Sequence, residues 1–279
     1  MRLLIYGLEE QPVAFNIILL RGLAREKGHW GDFPDRLGKI DKVDKVIGID
    51  LPGNGDFYKI TSPLSIGEMA EFVHSHSPWK ELNNTIIISV SLGSMVATEI
   101  LHRYESSYAM GFHMNTSFSG LSGPFSRLQP KALETFYNIL RNNSSRNQEE
   151  AILNLVSNSL VIREKVLPQW TQLAHSRPTS LVNAFRQLVA AGRYRSPVEK
   201  PRVPLYLLAS KKDRMVHCSC SESISEHWNL PLTFHPSAGH ELALDDPDWV
   251  CEQVSHILSA PFEEGKNEAS TKKAVKNPT

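Results

Sequence analysis

The sequence predicts an α/β protein with a mostly parallel central sheet, helices on both faces and an inserted helical cap. Three observations carry that expectation. Short, almost wholly apolar runs recur along the chain, each ending in a polar or glycine-bearing turn. Helix-compatible patterns fill the intervals between them. From about residue 119 to residue 196 this rhythm stops, and only amphipathic stretches remain. Strands that are apolar at nearly every position are buried on both faces, which is the situation of a parallel sheet covered by helices.

The elements follow in order. Ile17–Leu20 leads into Arg21-Gly22-Leu23, and Val46–Ile49 leads into Asp50-Leu51-Pro52-Gly53-Asn54-Gly55. Ile86–Ile88 runs on to Ser89-Val90-Ser91-Leu92-Gly93, and Met110–Met114 precedes Asn115-Thr116-Ser117. Leu205–Ala209 ends in Ser210-Lys211-Lys212-Asp213, and Leu232–Phe234 in Pro236-Ser237-Ala238-Gly239-His240. Sheets of this kind carry their sites at the carboxyl ends of the strands, and these turns are those positions. Between the fourth and fifth runs, Lys131–Leu140, Gln148–Leu160, Val166–Ala174 and Leu181–Ala191 have helical amphipathic spacing. The expected organisation is a core of residues 1–118 and 197–262 with a helical cap at 119–196. An independent helical domain is disfavoured because the sheet resumes after it. Residues 263–279 contain no aromatic side chain and read as a disordered tail. A basic interaction tail is the alternative, although Glu263, Glu264 and Glu268 dilute its charge.

Composition bounds the function. The chain has 279 residues, 41% of them hydrophobic and 22% charged, which suits a soluble globular protein with a sizeable core. Its 30 basic and 30 acidic side chains give a formal net charge of zero, so nothing argues for nucleic acid or an anionic membrane. Three cysteines do not make a disulfide framework. No apolar run approaches the roughly 20 residues of a membrane span, and no signal peptide is evident, so a cytoplasmic location is expected. The cluster His217-Cys218-Ser219-Cys220 has metal-ligand residue types but no second cluster, with Cys251 isolated. A metal site is therefore not expected. No P-loop or dinucleotide fingerprint occurs, and the oligomeric state leaves no signal in the sequence.

The segment Thr85–Thr98 carries the most information. An apolar β-branched run turns within three residues into a helix of small and apolar residues, leaving Ser91 at the apex with its hydroxyl exposed. Only small residues fit beside such an apex, two before and two after it. An ordinary strand-to-helix connection with a capping serine is the bland alternative. In pattern the segment resembles the nucleophile elbow of the α/β-hydrolases, with Ser89 where the family usually has glycine. The resemblance extends over about residues 1–118 and 197–260, and it implies an esterase-like serine hydrolase.

A serine hydroxyl needs a base, and the base needs an orienting carboxylate. The family order is serine, then acid, then histidine. Ser91, Asp213 and His240 occur in that order, each just after an expected strand. Taken singly, Asp213 could be a solvated turn residue beside Lys211, Lys212 and Arg214, and His240 is one of eleven histidines. Asp50 fits a helix cap or loop bond better, and Asp245, Asp246 and Asp248 follow the histidine too closely to be its acid and read as surface or helix-start residues. The resemblance further implies an oxyanion hole from the backbone N–H groups of Leu23 and Leu92. Arg21 stands where the family usually has histidine, so a structural hydrogen bond or ion pair is expected of it. His29 and Trp30 read as packing around the first strand-end loop, or as lining of a pocket mouth.

The implied activity is cleavage of a carboxylic ester or related small-molecule acyl substrate, with no organic cofactor and no metal. A thioesterase, a C–C bond hydrolase and an acyltransferase remain open on the same triad. The non-catalytic alternative is a binding or scaffold protein on a hydrolase fold.

Overall fold

The computed structural model describes residues 14–142 and 144–259. The tail expected to be disordered at 263–279 lies outside the described residues. Among the described residues, six strands form one sheet in the order β2-β1-β3-β4-β5-β6, and every neighbouring pair is parallel. They are β1 (Phe15–Leu20), β2 (Val43–Gly48), β3 (Thr85–Val90), β4 (Met110–Met114), β5 (Leu205–Ser210) and β6 (Leu232–His235). The helices are α1 (Phe33–Leu37), α2 (Ile66–His76), α3 (Leu92–Arg103), α4 (Pro124–Arg127), α5 (Pro130–Leu140) and α6 (Ser145–Val156). They continue as α7 (Leu160–Ser176), α8 (Leu181–Arg193), α9 (Ser219–Trp228), α10 (Leu242–Asp245) and α11 (Pro247–Ser259).

Both faces of the sheet are covered, as the apolar runs require. Ile18, Leu20 and Ile87 point into one core with Met69, Val96, Ile100 and Ile224 from α2, α3 and α9. Ile17, Leu19, Ile86 and Ile88 alternate to the other face and meet Phe33, Leu37, Val250 and Val254 from α1 and α11. Ile86, Ile87 and Ile88 are fully buried, each contributing about 1.5–3 kcal/mol of hydrophobic stabilisation. Strand β2 starts three residues before its apolar run, at Val43. It is an edge strand, so Asp44 and Lys45 remain exposed and interrupt the pattern that the interior strands show.

Helices α4 to α8 lie between β4 and β5 in sequence and form the inserted helical part of the fold. Serines start three of them. The side chains of Ser144, Ser159 and Ser180 accept hydrogen bonds from Asn147, Ile162 and Asn183 N–H at the heads of α6, α7 and α8. The amphipathic stretch Gln148–Leu160 is not one helix. It breaks at Ser157-Asn158-Ser159, where the Ser157 hydroxyl bonds to Asp245 and Asn158 N–H donates to Asp245 at 2.8 Å. These side chains compete with the helical backbone ladder, and Ser159 then caps the next helix. Beneath the insertion, Leu153, Leu155, Leu167 and Trp170 form a third apolar cluster with Met215 and Val216.

Candidate active site

The carboxyl ends of β1, β3, β4, β5 and β6 converge below the helical insertion. At the end of β3, Ser91 has φ 56° and ψ −120°, a backbone region non-glycine residues rarely adopt. Such strain costs on the order of 1–3 kcal/mol and persists only where neighbours enforce it. Here Ser91 N–H donates to Met114 O at 2.9 Å, and the Thr116 hydroxyl donates to Ser91 O at 2.9 Å. A Cβ on Gly93 would lie 2.5 Å from Arg21 O, so only glycine lets α3 start this close to the end of β1.

Ser89 is fully buried two residues before the apex. Its hydroxyl shares hydrogen bonds with His113 Nδ1 at 3.0 Å, Ser94 Oγ at 3.1 Å and Phe112 O at 3.2 Å. The other face of the ring, His113 Nε2, meets Thr98 Oγ1 at 3.2 Å. Burial pushes the His113 pKa down to about 4. A hydroxyl in place of glycine is thus accommodated by a buried histidine on β4.

Asp213 follows β5, where its Oδ1 accepts from Met215 N–H at 2.7 Å and Val216 N–H at 3.0 Å. Its Oδ2 lies 2.7 Å from His240 Nδ1, with both side chains buried. Gln129 donates to Asp213 O at 2.8 Å, fixing the turn from the insertion side. The His240 loop is held by Asn115, whose side-chain amide donates to His240 O at 2.8 Å from the end of β4. Burial works to lower the His240 pKa, but the Asp213 charge and hydrogen bond, with Glu241, outweigh it and leave the pKa raised; Arg21 opposes them. Ser91 and His240 line one cavity. Their side chains share no hydrogen bond here, and such bonds are often long before substrate arrives.

The loop after β1 passes against the apex. A Cβ on Gly22 would sit 3.2 Å from Ser91 Cβ and 3.7 Å from Ser91 Oγ. The N–H groups of Leu23 and Leu92 donate to no other group among the described residues. Arg21 is fully buried and forms a two-pronged ion pair with Glu241, at 2.8 Å for each prong. Its guanidinium also lies 4.5 Å from the Trp30 ring centroid. This pair ties the loop after β1 to the residue following His240.

Two cavities meet at Ser91. One, of about 340 Å³, runs beneath α5, α6 and α8 and includes Gly22, Leu23, Arg25, Glu149, Phe185 and His240 in its walls. The other, of about 330 Å³, lies between Leu92, Met95, Arg127, Leu133 and Leu188. Polar contacts fasten the roof over the first. Arg25 pairs with Glu149 of α6 at 2.6 Å, and Arg177 at the end of α7 pairs with Glu26 at 2.6 Å. Gln187 of α8 accepts from Ala24 N–H at 2.9 Å and donates to Asn54 Oδ1 at 2.9 Å. Burial, reinforced by Arg25, holds the His29 pKa well below its ordinary value.

The remaining sequence candidates take other places. His29 lines the first cavity and meets Trp170 edge-on at 4.8 Å. Asp50 accepts from Lys27 N–H at 2.6 Å and Asp56 N–H at 2.9 Å, a loop bond. Asp246 accepts from Trp249 N–H at 3.0 Å in the first turn of α11, and Asp248 pairs with Arg36. Asp245 does more than the sequence indicated. It accepts from Gly239 N–H at 2.7 Å and so joins the His240 loop to the α6–α7 break. His217 Nδ1 meets Ser219 Oγ at 2.8 Å, and Cys218, Cys220 and Cys251 are free thiols. Asn115, Gln129, Glu149 and Glu241 were not singled out by sequence. Only Glu241 had a usable signal, its adjacency to His240 combined with the unusual arginine at position 21.

A family model described as "Alpha/beta hydrolase family" matches residues 17–253. A rat (Rattus norvegicus) protein described as "Putative protein-lysine deacylase ABHD14B" is 31% identical over 102 residues, or 34% of this chain. That match spans 47% of the rat protein's length. The esterase RhEst1 from Rhodococcus sp. ECU1013 superposes with a TM-score of 0.68 at 14% identity, over 90% of this chain and 92% of its own. The enol-lactonase from Burkholderia xenovorans LB400 gives 0.69 at 14% identity, over 88% and 91%. At such identities the likeness is one of fold. The chain belongs to the alpha/beta hydrolase family. Among the described residues, no helix is long and apolar enough to cross a membrane.

Proposed function

We propose that the protein is a serine hydrolase that cleaves a carboxylic ester or related small-molecule acyl substrate through a covalent acyl-enzyme. The observation that carries this reading is the 2.7 Å Asp213–His240 hydrogen bond beside a strained Ser91 that faces the same cavity. Ser91 Oγ forms a bond to the carbonyl carbon while His240 takes the hydroxyl proton. Asp213 orients the ring and stabilises the imidazolium. The free N–H groups of Leu23 and Leu92 are the donors for the oxyanion, each such donor being worth about 3 kcal/mol. As the tetrahedral intermediate collapses, the bond to the leaving group breaks and His240 delivers its proton there. Water then gives a proton to His240, its oxygen bonds to the acyl carbon, and the proton returns to Ser91 as the acid departs.

Three free thiols are compatible with a reducing, cytoplasmic setting. The test is hydrolysis of a chromogenic short-chain ester. Ser91→Ala should lower the rate at least about 10⁴-fold, and a fluorophosphonate probe should label the natural chain and not the variant. A folded natural chain that neither turns over nor labels would instead be a binding protein on this fold. A panel of esters, thioesters and lactones ranks the substrate classes. An acyl-lysine amide belongs in that panel because of the description of the rat relative.

A further inference from the structure

The two cavities that meet at Ser91 differ in charge. In the first, Arg25 is paired with Glu149, Arg177 with Glu26, and Glu241 with Arg21. Each of these wall carboxylates and arginines has a partner of opposite charge, Arg21 reaching Glu241 from outside the wall. The second cavity is walled by apolar side chains, with Ser91, Ser117 and Arg127 as its polar members. Arg127 is half-buried, and all its bonds go to neutral acceptors. Its Nη2 donates to Ala191 O at 2.6 Å, Nη1 to Gly192 O at 3.2 Å and Nε to Ser117 Oγ at 3.4 Å. No carboxylate pairs with it among the described residues. These contacts occupy some of the guanidinium's five N–H donors and leave others for a ligand. The amino end of α3, at Leu92, adds partial positive charge to the same cavity.

The last-turn carbonyls of α8 offset part of the cost of this half-buried cation, and an anion brought by a ligand relieves the rest. We infer that the second cavity is a subsite for a carboxylate on the substrate, held by Arg127 while the scissile carbonyl sits at Ser91. The inference rests on the reading of Ser91 as the nucleophile, since the cavity matters by opening on that hydroxyl. The substrate is then an acyl compound with one anionic end, as in a monoester of a dicarboxylic acid. The apolar walls contributed by Met95, Leu133 and Leu188 accommodate the chain between the two functional groups.

The test measures binding and needs no turnover. Calorimetry on full-length Ser91→Ala protein compares monomethyl hexanedioate with the neutral ester in which the free carboxylate is a primary amide. The carboxylate should bind at least about 10-fold more tightly, the scale of a charge-assisted hydrogen bond. Adding Arg127→Met should erase that preference, and adding Arg127→Lys should keep part of it. Should Arg127→Met not fold, the lysine variant and the carboxylate-to-amide comparison still decide. Equal affinity for the two compounds, no binding of either, or a preference that survives folded Arg127→Met would each overturn the inference. The last result would leave Arg127 as only a clamp on the final carbonyls of α8. Failure of the serine hydrolase reading is separate, because it registers as absent Ser91-dependent hydrolysis and labelling whatever the binding result.

Discussion

The floor and the roof of the cavity are built on different principles. The floor consists of strand ends, and its polar groups bond to each other at short range. Asp213 holds His240, Asn115 holds the His240 loop, and Arg21 is locked to Glu241. The roof is a set of amphipathic helices fastened at points to loops below, through Arg25–Glu149, Arg177–Glu26 and Gln187. Its outer rim remains apolar and open, with Leu140, Leu181 and Phe185 exposed. The contrast separates two tasks. Reacting groups need fixed geometry, which a hydrogen-bonded sheet supplies, whereas substrate selection needs a shaped and replaceable wall. On the proposed hydrolase reading, changes in the floor should therefore act on kcat, and changes in the roof on KM and substrate preference.

The largest effect expected is on the floor. Asp213→Asn should keep the fold yet lower kcat about 10⁴-fold, because the amide stabilises the wrong tautomer of His240. Ester kinetics at fixed pH, with a melting curve to show folding, measure it. A fall in KM alone would break the division of tasks.

The two buried Arg–Glu pairs give a sharper comparison, being alike in chemistry and only four residues apart at their arginines. Removing Glu241 strands a fully buried Arg21, and Glu241→Ala should cost about 3–5 kcal/mol. Arg25 lines the open cavity, where water can reach it once its partner is gone, whereas Arg21 lies outside that lining. Glu149→Ala should therefore cost less, about 1–3 kcal/mol, and should raise KM more than it lowers kcat. Urea unfolding of both variants compares them directly, and equal losses would remove the distinction between floor and roof.

Acid adds a smaller test of the floor. His113 has a folded pKa of about 4, below the ordinary histidine value near 6.5. Between these values the unfolded chain binds the proton and the folded chain does not, so stability falls as pH drops through that window. From pH 7 to pH 5 this group alone should remove about 2 kcal/mol. Urea titrations at the two pH values should show the loss in the natural chain and less of it in His113→Asn.

Much of this molecule was legible in one dimension. Five of the six strands and their polar ends follow from apolar runs, because a sheet covered on both faces leaves few polar positions within its strands, and those few, such as Ser89 and His113, pair with each other. The edge strand β2 was placed late, since an exposed edge tolerates Asp44 and Lys45. Ser91, Asp213 and His240 stood out because strand ends in a parallel sheet point the same way, so their order along the chain maps onto one surface. The break inside Gln148–Leu160 was not legible, because its cause is Asp245, some ninety residues on.

By itself, the sequence determined the architecture and the kinds of chemistry available at each strand end, for these depend on local pattern and on the period of burial. The choice of partners belonged to the tertiary structure. Arg21 meets Glu241 across 220 residues and Arg25 meets Glu149 across 124, while Arg127 receives no carboxylate among the described residues. Pairing of buried charges depends on which groups packing brings within about 3 Å, and no local pattern encodes that distance.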